Sequence, residues 1–279
     1  MNPADQAAAK VASASIDLRL SLTFLKPEHR ATQAALHAVY LELREVPREV
    51  RDPGVAEVKL RWWEEEIGAL YAGKPRHPLT VALWPHLPPL SGKQQAFLDL
   101  ITGTRMDIAS ASFASFEDVK RYCYRHSGAL AELSAVLAGA HSDEAQLAAR
   151  LLGNSTHLAD IAVRGTAEAL RGRVYFAAED LKAHGVDRHI SGETHADAPV
   201  KALVKDYGER ARAMQAEALA AIPALERDAF ASWRVMGALA LKRLAKSERT
   251  GSGTNAEPVE LHPLSALLTA WRAARRRTP

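Results

Sequence analysis

Residues Leu158–Leu181 read LADIAVRGTAEALRGRVYFAAEDL. The stretch opens as the end of a long apolar helix and breaks at Arg171-Gly172-Arg173. It continues as a short extended piece through Val174 and Tyr175, then re-enters a helical turn at Glu179-Asp180-Leu181. Working back, Ser142 followed by Asp143 and Glu144 is an N-cap with acids at the positive end of the helix dipole, so the helix starts there. Working forward, residues 182–198 are polar and irregular, and long helices follow at about 199–221 and 224–247. Gly251-Ser252-Gly253-Thr254-Asn255 reads as a loop, and Pro263 opens a final helix through Trp271.

The N-terminal half follows the same grammar. Residues 3–15 are alanine-rich and helix-competent, and Leu18–Leu25 form an apolar entry segment. Pro27 and Glu28 suit a first helical turn. Ala31, Ala35, Ala38, Val39 and Leu43 keep helical spacing to about Val46. Pro47 lacks an N–H and its ring clashes with the preceding turn, so it is expected to end or kink that helix. Asp52 as N-cap and Pro53 at the first position restart a helix carrying Val55, Val58, Leu60, Trp62, Trp63, Ile67 and Leu70, which stops at Gly73. Prolines from Pro75 to Pro89 punctuate a region with one short helix near Leu79–Trp84. Ser91 is expected to cap a helix to about Ser110, and Ser115, with Glu117 and Asp118 behind it, a helix to about Gly139. The reading is all-α: a helical extension over residues 1–22 and one domain over residues 23–279, with no internal repeat.

A chain of 279 residues can bury a large core, and 47% hydrophobic with 25% charged residues is ordinary for a globular protein. The net charge of +3 is too small to point to nucleic acid. The single cysteine, Cys123, excludes an intrachain disulfide and reads as a small buried hydrophobe. No run of about 18 apolar residues exists to form a transmembrane helix, and the opening segment lacks a secretory-signal pattern. The chain is therefore expected in the cytoplasm. Peripheral contact with an inner membrane stays open through Arg272, Arg275, Arg276 and Arg277.

These motifs resemble the squalene/phytoene synthase family. Phe24-Leu25-Lys26-Pro27 is similar to the opening before that family's first core helix. Trp62-Trp63, Leu70-Tyr71-Ala72-Gly73 and His77-Pro78 are similar to its tryptophan run. Arg171-Gly172-Arg173-Val174-Tyr175 is similar to its RGRxY signature, and Tyr122, Tyr124 and Gly128 to the helix that gives a tyrosine to its cavity wall. The resemblance implies an isoprenoid synthase fold, a single-domain helical bundle around a central cavity. It also implies chemistry joining two prenyl diphosphates head to head, with two aspartate clusters holding Mg²⁺ that helps diphosphate leave. Mg²⁺ demands oxygen ligands, and carboxylates at i and i+3 or i+4 share a helix face.

Both clusters are altered here. The first falls on Arg44-Glu45-Val46-Pro47-Arg48 and the second on Arg164 and Glu168, so three of five family carboxylates are arginine. At about 4 Å and an effective dielectric of about 20, one like-charge contact costs roughly 4 kcal/mol, and a divalent ion doubles that. No metal and no cofactor is expected, Mg²⁺ entering only if the chain is an active prenyltransferase. The departure is similar to a branch of the family whose members are non-catalytic assembly factors of mitochondrial respiratory complex I. His262-Pro263-Leu264 and Ala270-Trp271-Arg272 resemble that branch's ending. The resemblance therefore implies a non-catalytic protein serving complex I assembly, with complex I subunits or assembly proteins as partners. An active head-to-head prenyltransferase is the alternative.

Arg44, Arg48, Arg164, Arg171 and Arg173 are expected to converge where the metals would sit. Guanidinium groups bind phosphate directly and bidentately, so a prenyl diphosphate or anionic lipid is the candidate ligand. The competing expectation is that these arginines pair with Glu45 and Glu168, which should face one cavity. Tyr122, Trp62 and Trp63 are candidates for the cavity wall; Tyr124 and His126 are candidates, with Tyr122, for ligand contact, against ordinary core and surface placement. Adjacent residues point about 100° apart on a helix, so at most one tryptophan faces a cavity squarely. His184, His189 and His195 lack zinc-ligand spacing.

Overall fold

The structure, a computed structural model, describes residues 1–50, 52–109, 112–187, 190, 197–250 and 259–275. Every regular element among them is helical. The first five are α1 (Pro3–Ala12), α2 (Ile16–Thr23), α3 (Pro27–Glu49), α4 (Pro53–Tyr71) and α5 (Pro78–Leu83). Next come α6 (Gln94–Ile108), α7 (Phe116–Cys123), α8 (Ala129–Leu137) and the long α9 (Asp143–Ala169). The chain closes with α10 (Ala178–Ala183), α11 (Ala198–Ala220), α12 (Ala231–Thr250) and α13 (Pro263–Arg275). The axis is α9, which packs against α7, α8, α11 and α12.

Side-chain caps set many of the helix starts. Asp52 and Ser142 accept bonds from the backbone N–H groups of Val55 and Ala145. Ser115 and Asp118 form a reciprocal capping box. Three boundaries differ from the sequence expectation. Pro47 does not end α3, which continues to Glu49; the lost donor falls in the last turn, where few further bonds depend on it. Ser91 does not cap α6, because Pro88–Leu90 make a 3-10 turn and the helix starts after Lys93. The helix expected from residue 224 begins as a 3-10 turn, Ala224–Phe230. The loop at 251–255, His189, His195, Arg276 and Arg277 lie outside the described residues. The N-terminal helix is packed onto the core: Ala7 and Val11 are buried, and Lys10 reaches Glu42 at 2.6 Å and also Glu45, both on α3.

Two large apolar clusters meet at a polar seam. One is built mainly from α1–α6, α8 and the first half of α9; the other from α7, the second half of α9, α11 and α12. Between Leu152 and Leu158, α9 passes from the first cluster to the second. At the same level the rod of α7 and α8 is interrupted by a π-helical stretch, Tyr124–Gly128, a widened turn that recurs at functional sites. Gly153 of α9 lies against it, and a Cβ there would stand 2.3 Å from the Ser127 carbonyl oxygen. Gly153→Ala therefore forces backbone apart from backbone. It is expected to cost about 1–3 kcal/mol, read by calorimetry as a fall of several degrees in thermal midpoint. An unchanged midpoint would show that α9 does not need this close approach.

Candidate functional site

The seam holds a buried ionic network. Arg44 on α3 donates to Asp107 on α6 at 2.6 Å, and the Asp107 side chain is only 4% exposed. The Tyr122 and Tyr175 hydroxyls donate to the other Asp107 oxygen at 2.6 and 3.2 Å. Burial pushes the Asp107 pKa up, but His126, Arg44 and the Tyr122 hydroxyl more than reverse this, and it sits well below the usual carboxylate range. Arg44 also approaches His126 Nδ1 at 2.7 Å. A guanidinium has no lone pair, so that nitrogen is the unprotonated one. Burial first, then Arg44, lowers the His126 pKa from 6.5 to about 4, leaving the ring neutral near pH 7. His157 of α9 stacks on His126 with centroids 4.9 Å apart and planes 12° from parallel. Burial drives its pKa down as well.

A pocket of about 110 Å³ opens from this network. Its lining includes Arg44, Arg48, Asp107, Tyr122, His157, Asp160, Arg164, Glu168, Arg173 and Tyr175. Four of the five expected arginines thus converge; Arg171 does not. Gly172 explains the split. Its φ of 84° lies in the left-handed region that favours glycine. The Arg173 N–H then donates back to the Glu168 carbonyl at 2.9 Å, a Schellman-type reversal. The turn brings Arg173 to the pocket lining, while Arg171 stays outside and pairs with Glu168 at 3.0 Å.

Other expectations are corrected. Glu45 and Glu168 do not face one cavity: Glu168 lines the pocket, whereas Glu45 turns to Lys10 on α1. The arginine partners are Asp107 for Arg44 and Asp160 for Arg164, one helical turn away. Trp62 and Trp63 are not among the pocket-lining residues. Both pack on His77, Trp63 at 4.9 Å between centroids. The loop bearing His77 is pinned by buried Glu66, which accepts from the Arg76 and His77 N–H groups at 2.7 and 2.9 Å. The tryptophan run thus builds a structural corner. Sequence reading passed over Asp107, His157 and Asp160. The Asp107 signal was present: it extends the buried stripe Phe97, Leu100, Ile101 and Thr104 of α6, and an acid on such a stripe requires a buried partner.

The donor set does not fit Mg²⁺. Asp107, Asp160 and Glu168 each carry an arginine partner, and no cluster of three metal-ligating side chains occurs among the described residues. The pocket is also small beside the roughly 300–1,000 Å³ of ordinary ligand sites. It matches a diphosphate head group better than two isoprenoid tails.

Comparison with known proteins places the fold. The fold is that of a dehydrosqualene synthase crystal structure, with a TM-score of 0.78 at 16% identity over 96% of this chain and 95% of that one. A squalene synthase from Alicyclobacillus acidocaldarius matches at 0.77 and 19% identity, over 89% and 94%. In sequence, the 15-cis-phytoene synthase of Synechocystis is 30% identical over 78% of this chain and 68% of its own length. That of Synechococcus elongatus is 29% identical over 79% and 75%. The squalene/phytoene synthase description matches residues 11–272. With that match running from the end of α1 into α13, and the fold shared as well, the chain belongs to the squalene/phytoene synthase family.

Proposed function

We propose that the protein takes prenyl diphosphates at the arginine pocket and works in the class of head-to-head prenyl transfer. The observation that carries this is the convergence of Arg48, Arg164 and Arg173 on one pocket beside the half-buried Arg44. A diphosphate is the complementary anion, and guanidinium forks grip it without a metal ion. The stacked Tyr122 and Tyr175 rings, 5.4 Å apart, border the same space. Their faces suit a cationic carbon exposed as diphosphate departs. Relatives named phytoene synthases support transfer over the respiratory-complex role that the sequence resemblance implied.

A second reading is a non-catalytic protein that holds a phosphorylated lipid while serving complex I assembly. It is favoured by the arginines at Arg44, Arg48 and Arg164, because their charge repels the ions that the family's chemistry requires.

Titration calorimetry with farnesyl and geranylgeranyl diphosphate in EDTA, paired with pyrophosphate release in EDTA and in Mg²⁺, separates the readings. Binding in EDTA is expected in both. Release above a heat-killed control supports transfer, and its absence supports the second reading. No binding in either buffer overturns the pocket as a prenyl-diphosphate site. Arg164→Ala and Arg48→Ala are each expected to weaken binding about tenfold or more, since a charged hydrogen bond contributes roughly 1.5–3 kcal/mol. Variants that bind as tightly as the parent would remove these arginines from the site.

A further inference from the structure

Helix α13 is built inside out. The residues it buries against the neighbourhood of α2 and α12 are small: Ala266, Ala270 and Ala273. Its large apolar residues face away: Leu264 is 70% exposed, Leu267 47%, Leu268 46% and Trp271 42%. At about 100° per residue these four fall within an arc of about 100°, opposite the alanines. Arg272 borders the same arc and Arg275 falls within it at the last turn, its guanidinium 4.8 Å from the Trp271 ring centroid. The sequence continues with Arg276 and Arg277, and residues 261–279 contain no acid. Nothing in the prenyl-diphosphate reading uses this face.

We infer that α13 is a docking helix for an anionic lipid surface. The large apolar side chains would enter the boundary between head groups and acyl chains while the arginines meet lipid phosphates, the arrangement of interfacial amphipathic helices. No helix among the described residues is long and apolar enough to cross a membrane, so α13 would lie along the surface. The charge argues against a second copy of the chain as the occupant. A two-fold contact through this face would set arginine against arginine with no acid on the helix to answer it. A membrane carrying anionic lipids supplies the missing sign, and each basic residue near it adds to binding.

The test is cosedimentation of the full chain with vesicles of phosphatidylcholine alone and of phosphatidylcholine mixed with phosphatidylglycerol, with light scattering for oligomeric state. Binding to the mixed vesicles is expected, with little to the neutral ones and a monomer in solution. Arg272→Glu with Arg275→Glu should weaken partition by about thirtyfold or more. Leu267→Asn with Leu268→Asn should weaken it by at least about tenfold. All four side chains lie on the exposed face, so circular dichroism and prenyl-diphosphate binding should be unchanged. That keeps failure of this inference separate from failure of the pocket. Three outcomes overturn it: no binding of the parent to mixed vesicles, variants that bind as the parent does, or a dimer that the leucine variant dissolves.

Discussion

Asp107→Ala is expected to destabilise the protein by about 3–5 kcal/mol, the cost of leaving a buried charge without its partner. Asp107 is the acceptor for Arg44, Tyr122 and Tyr175 together. Its removal strands a guanidinium whose side chain is only 20% exposed, along with two hydroxyls. Chemical denaturation reads the loss. The sharper result is the double variant, Arg44→Met with Asp107→Leu. Removing both charges takes away the uncompensated ion as well as the pair, so much of the loss should return. A double variant as unstable as the two single losses added would show that the residues are not coupled. The same reasoning makes Arg164 and Arg48 better probes of ligand binding than Arg44, whose loss would disturb the fold.

Acidification from pH 6.5 to 4 is expected to remove several kcal/mol of stability. His37 and His126 are buried, and each has its pKa lowered from 6.5 to about 4, His37 by burial alone. In the unfolded chain these rings take up protons below about pH 6.5; in the folded chain they do so only near pH 4. The unfolded state therefore binds more protons throughout that window, and stability falls as pH falls. A lowering from 6.5 to about 4 corresponds to roughly 3 kcal/mol for one histidine, at about 1.4 kcal/mol per pH unit. Asp107 acts in a lower window. Its pKa is depressed in the fold, so its contribution is present above the ordinary carboxylate range and is lost as pH drops below it. Urea unfolding at successive pH values should show the upper window, and His37→Gln should make it shallower, leaving the share of His126. A flat profile from pH 6.5 to 4 in the parent would refute the claim.

The architecture was legible where local chemistry and tertiary demand agree. Asp52-Pro53, Ser115 with Asp118, and Ser142 start helices because each satisfies N–H groups that no helix can satisfy itself. The gathering of Arg44, Arg48, Arg164 and Arg173 was legible through motif resemblance. What stayed hidden depends on contacts far apart in the chain. No local rule pairs Arg44 with Asp107, 63 residues away. The π stretch at Tyr124–Gly128 has no composition signal, being imposed by the way α9 and α6 lie against it. Trp62 and Trp63 misled because bulk and apolarity look alike on a cavity wall and on a packed corner, and only the buried Glu66 and its loop decide between them.

The seam between the apolar clusters also divides the molecule as an assembly of cooperative units. Each cluster closes on its own side, and helices such as α9 and the rod of α7 and α8 are shared between them. Sub-global openings follow such boundaries. Amides of α9 near Gly153 and His157 should therefore exchange with solvent whenever either half opens, ahead of amides deep in one cluster. An anion bridging Arg44 on α3 to Arg164 on α9 would tie the two units into one, slowing exchange on both sides of the seam together.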